Sequence, residues 1–455
     1  MRLCFDQGTL VLVEPPDLDL GFVPGLTWDP RVALWRAPAY RYAEVLAALE
    51  LAGVPCTDAA GTCGALPASW RPIDLREYQE DASHAWELSG RAGIVVLPTG
   101  AGKTRVALAN LARLGLRALC LVPTRALLHQ WRREVERFYT GPVGCLGDGE
   151  RQIESITVAT FESALRHMPR IGNRFEVLVV DEVHHFGGGV KDEALEMSTA
   201  LYRLGLTATP PHERALNRLD QLIGPVVCQV PVGELAGIWL SHFDLVLLRL
   251  TLTAAERASY ERDYGRFRDA HRDFRALHPG GSWRDFVAGA ATTDEGRNAL
   301  LAWQRARRLL GYTQAKAEAV GKLLARHRNA RVLVFTANNE TAYTIAKQHL
   351  IMPITCEVKR RERSWALEAF RAGELKALVS ARVLNEGIDV PDADVAIIVG
   401  GTLGEREHVQ RVGRLLRPVP GKRAVVYELV TLATAEAHHA FQRRRSIVAA
   451  RALSA

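Results

Sequence analysis

Residues 97–104 read LPTGAGKT, and on this stretch the fold turns. It approaches the phosphate-binding pattern G-x-x-x-x-G-K-[ST], with Leu97 standing where the first glycine belongs. The surroundings carry more than the motif. An apolar run, GIVVLP (93–98), comes before it, and an amphipathic TRVALANLARL (104–114) comes after. Strand, glycine-rich turn and helix form the context in which backbone N–H groups converge on an anion at a helix N-terminus. The N–H groups of Gly100, Ala101, Gly102, Lys103 and Thr104 are then expected to cradle phosphate oxygens. Lys103 is expected to reach the β- and γ-phosphates, and the Thr104 hydroxyl to ligate Mg²⁺. The competing reading is a structural glycine turn with Lys103 facing solvent.

Moving outward, the same alternation recurs. Apolar runs at 118–123 (ALCLVP), 156–160 (ITVAT), 177–182 (VLVVDE) and 203–209 (RLGLTAT) are spaced by amphipathic segments. A second set begins near residue 331 with RVLVFT (331–336), ALVSA (377–381), VAIIVG (395–400) and AVVYELV (424–430). Near-continuous apolar strands alternating with helices predict parallel sheets covered on both faces, here twice over. Between the two sets, 254–310 is helix-like and dense in Arg, Asp and Tyr, with aromatics at 260, 264, 267 and 274. The first 68 residues hold short alternating runs such as Leu10–Glu14 and a helical stretch around Arg41–Ala52. The segment Pro55–Pro72, rich in Gly, Pro, Ala and Thr, reads as a linker.

Composition sets the outer limits. At 455 residues, 48% hydrophobic and 24% charged, the chain is an ordinary multidomain globular protein. Its net charge of +7 fits a polyanion partner without requiring one. Seven scattered cysteines without a C-x-x-C pair suggest neither a disulfide framework nor a zinc site, and Cys120 and Cys228 read as small core residues. The N-terminus lacks a secretory pattern and no window is apolar enough to span a membrane, so a cytoplasmic location is expected.

Two further stretches carry chemistry. VLVVDEVHHF ends an apolar strand in Asp181 and Glu182, suited to holding Mg²⁺ and to orienting and deprotonating a water. Taken alone they would be solvated strand-end acids; together with Lys103 and Thr104 they form a nucleotide-hydrolysis set. His184 and His185 read as coupling or packing residues, since adjacent histidines seldom share one metal and no third ligand is evident. In VQRVGRLLRP (409–418), Arg411, Arg414 and Arg417 fall on one helical face, where guanidinium groups suit phosphate oxygens.

Phosphate loop, DEVH, TAT and QRxGRxxRP in this order resemble a superfamily-two helicase, and more closely the compact XPB-type DNA repair helicases. The resemblance rests on LREYQEDA (75–82), VLPTGAGKT (96–104), GNRFEVLVVDEVHH (172–185), LGLTAT (204–209), LVSARVLNEGIDVPDADVAIIV (378–399) and EHVQRVGRLLRP (407–418), and runs from about residue 1 to 435. In that form of the motif the loop starts at Thr99, so Leu97 is the last buried residue of the strand. The resemblance implies two tandem RecA-like doubly wound domains, at 69–232 and 233–440. It also implies a small N-terminal α+β domain at 1–68 used for damage recognition, a helical thumb near 254–310 and a tail at 441–455. It places Arg76 and Gln79 at adenine. Thr99 joins the phosphate loop, and Gly387 and Asp389 couple ATP to nucleic acid. Gln410, Arg414 and Arg417 form the last motif, with the two arginines as fingers supplied by the second domain. Pro123, Thr124, Arg125, Thr160 through Ser163, and Thr336 fall near a nucleic-acid backbone.

The implied activity is an ATP-dependent 3′–5′ DNA translocase or helicase acting in nucleotide excision repair, with ATP hydrolysed between the domains and Mg²⁺ as its cofactor. One departure stands out: where the family carries Arg-Glu-Asp, this chain reads His212-Glu213-Arg214. That change favours a duplex translocase with little unwinding, and an RNA-remodelling ATPase is the other alternative. The chain shows no nuclease-like acid–Lys cluster, so any cutting falls to a partner nuclease. The protein is expected to be a monomer on its own.

Overall fold

The computed structural model describes residues 1–14, 19–61, 66–211, 213–235, 242–381, 393–400, 423–437 and 440. Contacts divide the chain into two compact units, built on residues 1–232 and on those from 233 onward.

The first unit begins with a five-stranded sheet in the order Thr27–Asp29, Leu34–Pro38, Thr9–Val13, Arg2–Asp6, Thr57–Asp58. All pairs are antiparallel except the last, which is parallel. Leu3, Leu10 and Leu12 alternate onto one face and bury against Val45 and Leu49 of the helix Tyr42–Leu51. Thr57–Asp58 lies inside the segment expected to be a linker. That segment is instead docked at both ends, because Trp70 packs on Tyr139 with ring centroids 5.0 Å apart. An aromatic in a Gly/Pro-rich stretch is the local signal against a free linker.

The larger sheet of this unit runs Val226–Gln229, Ala92–Val96, Tyr202–Thr207, Val177–Asp181, Ala118–Val122, Ile156–Thr160, Val143–Gly147, Glu150–Gln152. Every pairing is parallel except the last hairpin. Ala118–Val122, Ile156–Thr160 and Val177–Asp181 are buried along their whole length, because helices cover both faces. Sequence reading found the five central strands and missed Val143–Gly147, Glu150–Gln152 and Val226–Gln229. Cys120 is fully buried, and burial pushes its thiol up to about 12. Cys228, expected in the core, is only half-buried on the edge strand.

Arg203 pins one end of this sheet. It is 6% exposed and donates to the carbonyls of Leu195, Ser198, Ala200 and Leu222 at 2.6–3.2 Å. Burial lowers its pKa to about 10, so it stays a cation whose compensation is carbonyl oxygen.

The second unit holds a six-stranded parallel sheet ordered His242–Leu250, Arg423–Thr431, Val395–Ile398, Val332–Thr336, Ala377–Ala381, Met352–Ile354. Helices Ala254–Leu277, Trp283–Ala291 and Asp294–Gly311 form the insertion, where Phe267, Phe286 and Ala290 make a small core of their own. Its base is tied to the sheet domain by Lys316, fully buried, whose Nζ lies 2.8 Å from both Glu436 carboxylate oxygens and 2.7 Å from the Leu310 carbonyl. Among the described residues no helix is long and apolar enough to cross a membrane.

Candidate nucleotide and nucleic-acid site

The parallel register brings the C-terminal ends of the strands of the first unit to one rim. Thr207 stands beside Val96, Asp181 beside Leu206, and Thr160 beside Val122. At such a rim doubly wound sheets bind their ligands. Leu97 is fully buried and its N–H donates to the Thr207 carbonyl at 3.0 Å, so it prolongs the strand. The chain then turns through Gly100 (φ 85°) and Gly102 (φ 78°), a left-handed region closed to most side chains, and enters the helix Lys103–Leu114. Gly102 is required on a second count: a Cβ there would sit 2.5 Å from Gln79 Nε2.

Gln79 braces this loop. It is 2% exposed, donates to the Ala101 carbonyl at 2.7 Å and accepts from the Arg76 backbone N–H at 2.9 Å. Tyr78 Oη donates to the same Ala101 carbonyl at 2.8 Å, a brace the sequence reading did not name. Lys103 Nζ reaches back to the Leu97 carbonyl at 3.3 Å. Thr99 Oγ1 is enclosed and has no hydrogen-bond partner, leaving a buried polar atom unsatisfied in the loop.

On the neighbouring strands, Asp181 is 5% exposed, accepting from Trp131 Nε1 at 2.8 Å and from the Glu182 N–H at 2.9 Å. Burial pushes its carboxyl above the usual range, against the pull of the Lys103 charge and of these two donors. Trp131 was missed by sequence reading, and an apolar i, i+4 position on a helix offers no sign of an indole N–H aimed at an acid. Glu182 sits at φ 50°, an uncommon conformation for a glutamate that turns its carboxylate toward His184. His184 Nδ1 lies 3.4 Å from Glu182 Oε2 and 3.0 Å from Thr207 Oγ1, which donates to the Thr209 carbonyl at 2.9 Å. His185 packs against His184 and Phe161. His184 therefore links DEVH to TAT while His185 packs beside it, and no metal-holding cluster of three His, Cys, Asp or Glu occurs among the described residues. The oxygen donors of Asp181 and Thr104 are of the kind a hard divalent cation carrying phosphate takes.

The residues expected near nucleic acid divide. Pro123 and Thr124 follow the strand Ala118–Val122, and the Thr124 side chain caps the helix Arg125–Phe138. Arg125 is 72% exposed at that helix's start. Thr160, only 8% exposed, caps the helix Phe161–Ile171, its hydroxyl donating to Ser163 Oγ at 2.9 Å. Thr336 is fully buried and donates to the Asn338 carbonyl at 3.0 Å, so its side chain orders a turn. A threonine at a strand end reads the same from sequence in either case. Gly387, Asp389, Gln410, Arg411, Arg414 and Arg417 lie outside the described residues, as does His212, while Glu213 is exposed at the start of the helix Glu213–Leu222.

Comparison with known proteins gives three family matches. The damage recognition domain of xeroderma pigmentosum group B helicase matches residues 3–60, the res subunit of type III restriction enzymes 72–212, and the helicase conserved C-terminal domain 315–419. The chain is 34% identical over 427 residues to a DNA 3′-5′ translocase XPB2 of Sulfurisphaera tokodaii, covering 93% of this chain and 96% of that one. It is 29% identical to the DNA 3′-5′ helicase XPB of Mycobacterium tuberculosis, over 82% of this chain and 62% of the relative. Among solved structures, the Pyrococcus furiosus Hef helicase domain shares the fold with TM-score 0.53 and 19% identity, covering 81% of this chain and 98% of that one. Dbp5 of S. cerevisiae, bound to RNA and ADP BeF3, does so at 0.55 and 15%, covering 82% and 87%. With its tandem parallel-sheet domains, its phosphate loop and its N-terminal domain, the chain belongs to the XPB family of helicases.

Proposed function

We propose that this protein is an ATP-dependent DNA translocase that moves 3′–5′ and remodels DNA during repair. The observation that carries the reading is the loop Thr99–Thr104 with its two left-handed glycines, set at the same strand rim as the buried Asp181 whose ionisation Lys103 assists. Lys103 exchanges the Leu97 carbonyl for the β- and γ-phosphates, and the N–H groups of Gly100–Thr104 hold their oxygens. Mg²⁺ held by Thr104 and Asp181 would supply charge neutralisation on the transferring phosphoryl group. Glu182 takes the proton of the attacking water, with His184 holding its carboxylate in place. Arg76 and Gln79 take the adenine side. Gln79 also holds Ala101, so it ties the adenine side to the phosphate loop.

Arg414 and Arg417 as arginine fingers, and Gln410, Gly387 and Asp389 as coupling residues, rest on the resemblance. So do the assignments of 1–68 as a damage-recognition domain, 69–232 and 233–440 as the motor domains, and 254–310 as a thumb. Pro123, Thr124 and Arg125 are assigned to the DNA backbone, the last with its exposed guanidinium. His212-Glu213-Arg214 in place of the family's acidic-ending triad favours movement along duplex over strand separation. We place the protein in the cytoplasm as a monomer, with a partner nuclease making any cut.

The test is ATP turnover in Lys103→Ala and Glu182→Gln. Both lose DNA-stimulated hydrolysis by about a hundredfold or more while their thermal unfolding is unchanged. Wild-type turnover in either variant removes the site assignment, and turnover indifferent to DNA at every salt concentration removes the motor reading.

A further inference from the structure

Arg125 opens the helix Arg125–Phe138, and that helix has no acid in its first turn. Side chain and helix N-terminus are both positive there, an unfavourable pairing unless an anion sits against it. The structure supplies one from another element. The strands Val143–Gly147 and Glu150–Gln152 are joined by the two residues Asp148 (φ 50°) and Gly149 (φ 90°), the Asp-Gly pair favoured in a type I′ turn. This turn presents the Asp148 carboxylate to the helix. Asp148 Oδ2 lies 2.8 Å from His129 Nε2 and Oδ1 lies 3.3 Å from Arg125 Nη1. Glu150 of the same hairpin pairs with Arg132 at 2.8 Å, so acids of the hairpin cover a basic face of the helix. Gly147 lets the hairpin close on this rim, since a Cβ there would stand 3.1 Å from Leu128 and Thr160 carbons.

We infer that Asp148 is a latch on Arg125, a positioning residue that holds its guanidinium in the DNA-free protein and that a DNA phosphate must displace. The inference rests on the assignment of Arg125 to the DNA backbone above. Asp148 is anchored by His129 through the closer contact, 2.8 Å against 3.3 Å to Arg125 Nη1, so the exchange leaves the carboxylate paired and frees the arginine fork for phosphate. DNA grip is thereby weakened to a releasable level, as a stepping motor needs.

The test uses the full chain, a fluorescent duplex oligonucleotide and DNA-stimulated ATPase, with Asp148→Asn, Arg125→Ala and the double variant. Asn keeps the left-handed turn, so Asp148→Asn folds. It should tighten DNA binding and lower the half-saturating DNA concentration by about two- to fivefold, the size of an exposed ion pair, with turnover at saturating DNA unchanged. In the Arg125→Ala background the same substitution should do nothing. An unchanged half-saturating concentration in Asp148→Asn overturns the latch, as does an equal gain with and without Arg125, which would mark a general charge effect. If Arg125→Ala by itself leaves DNA binding intact, the assignment of Arg125 to DNA falls, and the latch with it.

Discussion

Replacing Trp131 by Phe tests how the buried acid of the site is kept ionised. Trp131 is 1% exposed, and its indole N–H donates at 2.8 Å to Asp181, itself 5% exposed. Phe keeps most of the buried apolar area and removes the donor. A hydrogen bond to a buried charged group contributes about 1.5–3 kcal/mol, and the loss falls on the ionised carboxylate, which the N–H serves better than the protonated form. Burial already raises the Asp181 pKa, so removing one of the groups that lowers it raises it further. The direction then follows. Asp181 with a raised folded pKa contributes stability that is present below its unfolded pKa and lost as pH rises through the folded value, and the substitution enlarges that loss and extends it to higher pH. For activity, which needs the carboxylate ionised, the acidic limb of the ATPase profile moves to higher pH, and turnover at a fixed pH on that limb falls. The assay is DNA-stimulated ATPase from about pH 5 to pH 9 on Trp131→Phe and wild type, with thermal unfolding alongside. A folded variant whose acidic limb superimposes on that of wild type refutes the reasoning.

Other substitutions probe the loop and the second domain. Gly102→Ala forces a side chain into φ 78° and against Gln79, and should destabilise the first unit by about 1–2 kcal/mol and weaken nucleotide binding, measured by denaturant unfolding and nucleotide titration. Lys316→Met strands the Glu436 carboxylate in a buried site and should cost about 3–5 kcal/mol in urea unfolding. Adding Glu436→Leu should recover much of that loss, and a double variant no better than the single one would refute a buried-charge origin.

Much of the architecture was legible in the chain because its signals are local. Nine apolar runs, each followed by an amphipathic stretch, imposed parallel strands, and the observed elements fall on them with ends differing by a residue or two. Strands lacking a full apolar run escaped: Glu150–Gln152 reads E-R-Q, and Val143–Gly147 contains two glycines. The same locality made the phosphate loop and the paired acids readable. It could not show that Gln79 braces Ala101 or that Thr336 turns inward, because a side chain's direction depends on what packs against it.

The sequence by itself determined the tandem α/β plan and the order of its motifs, since strand and helix periodicities and a glycine turn are written within a few residues of one another. Only the tertiary structure decided which partners meet across the sheets: Trp131 with Asp181, 50 residues apart, Asp148 with Arg125, and Lys316 with Glu436. Such contacts follow from strand order and register, which are fixed by the packing of the whole core and leave no pattern at either residue.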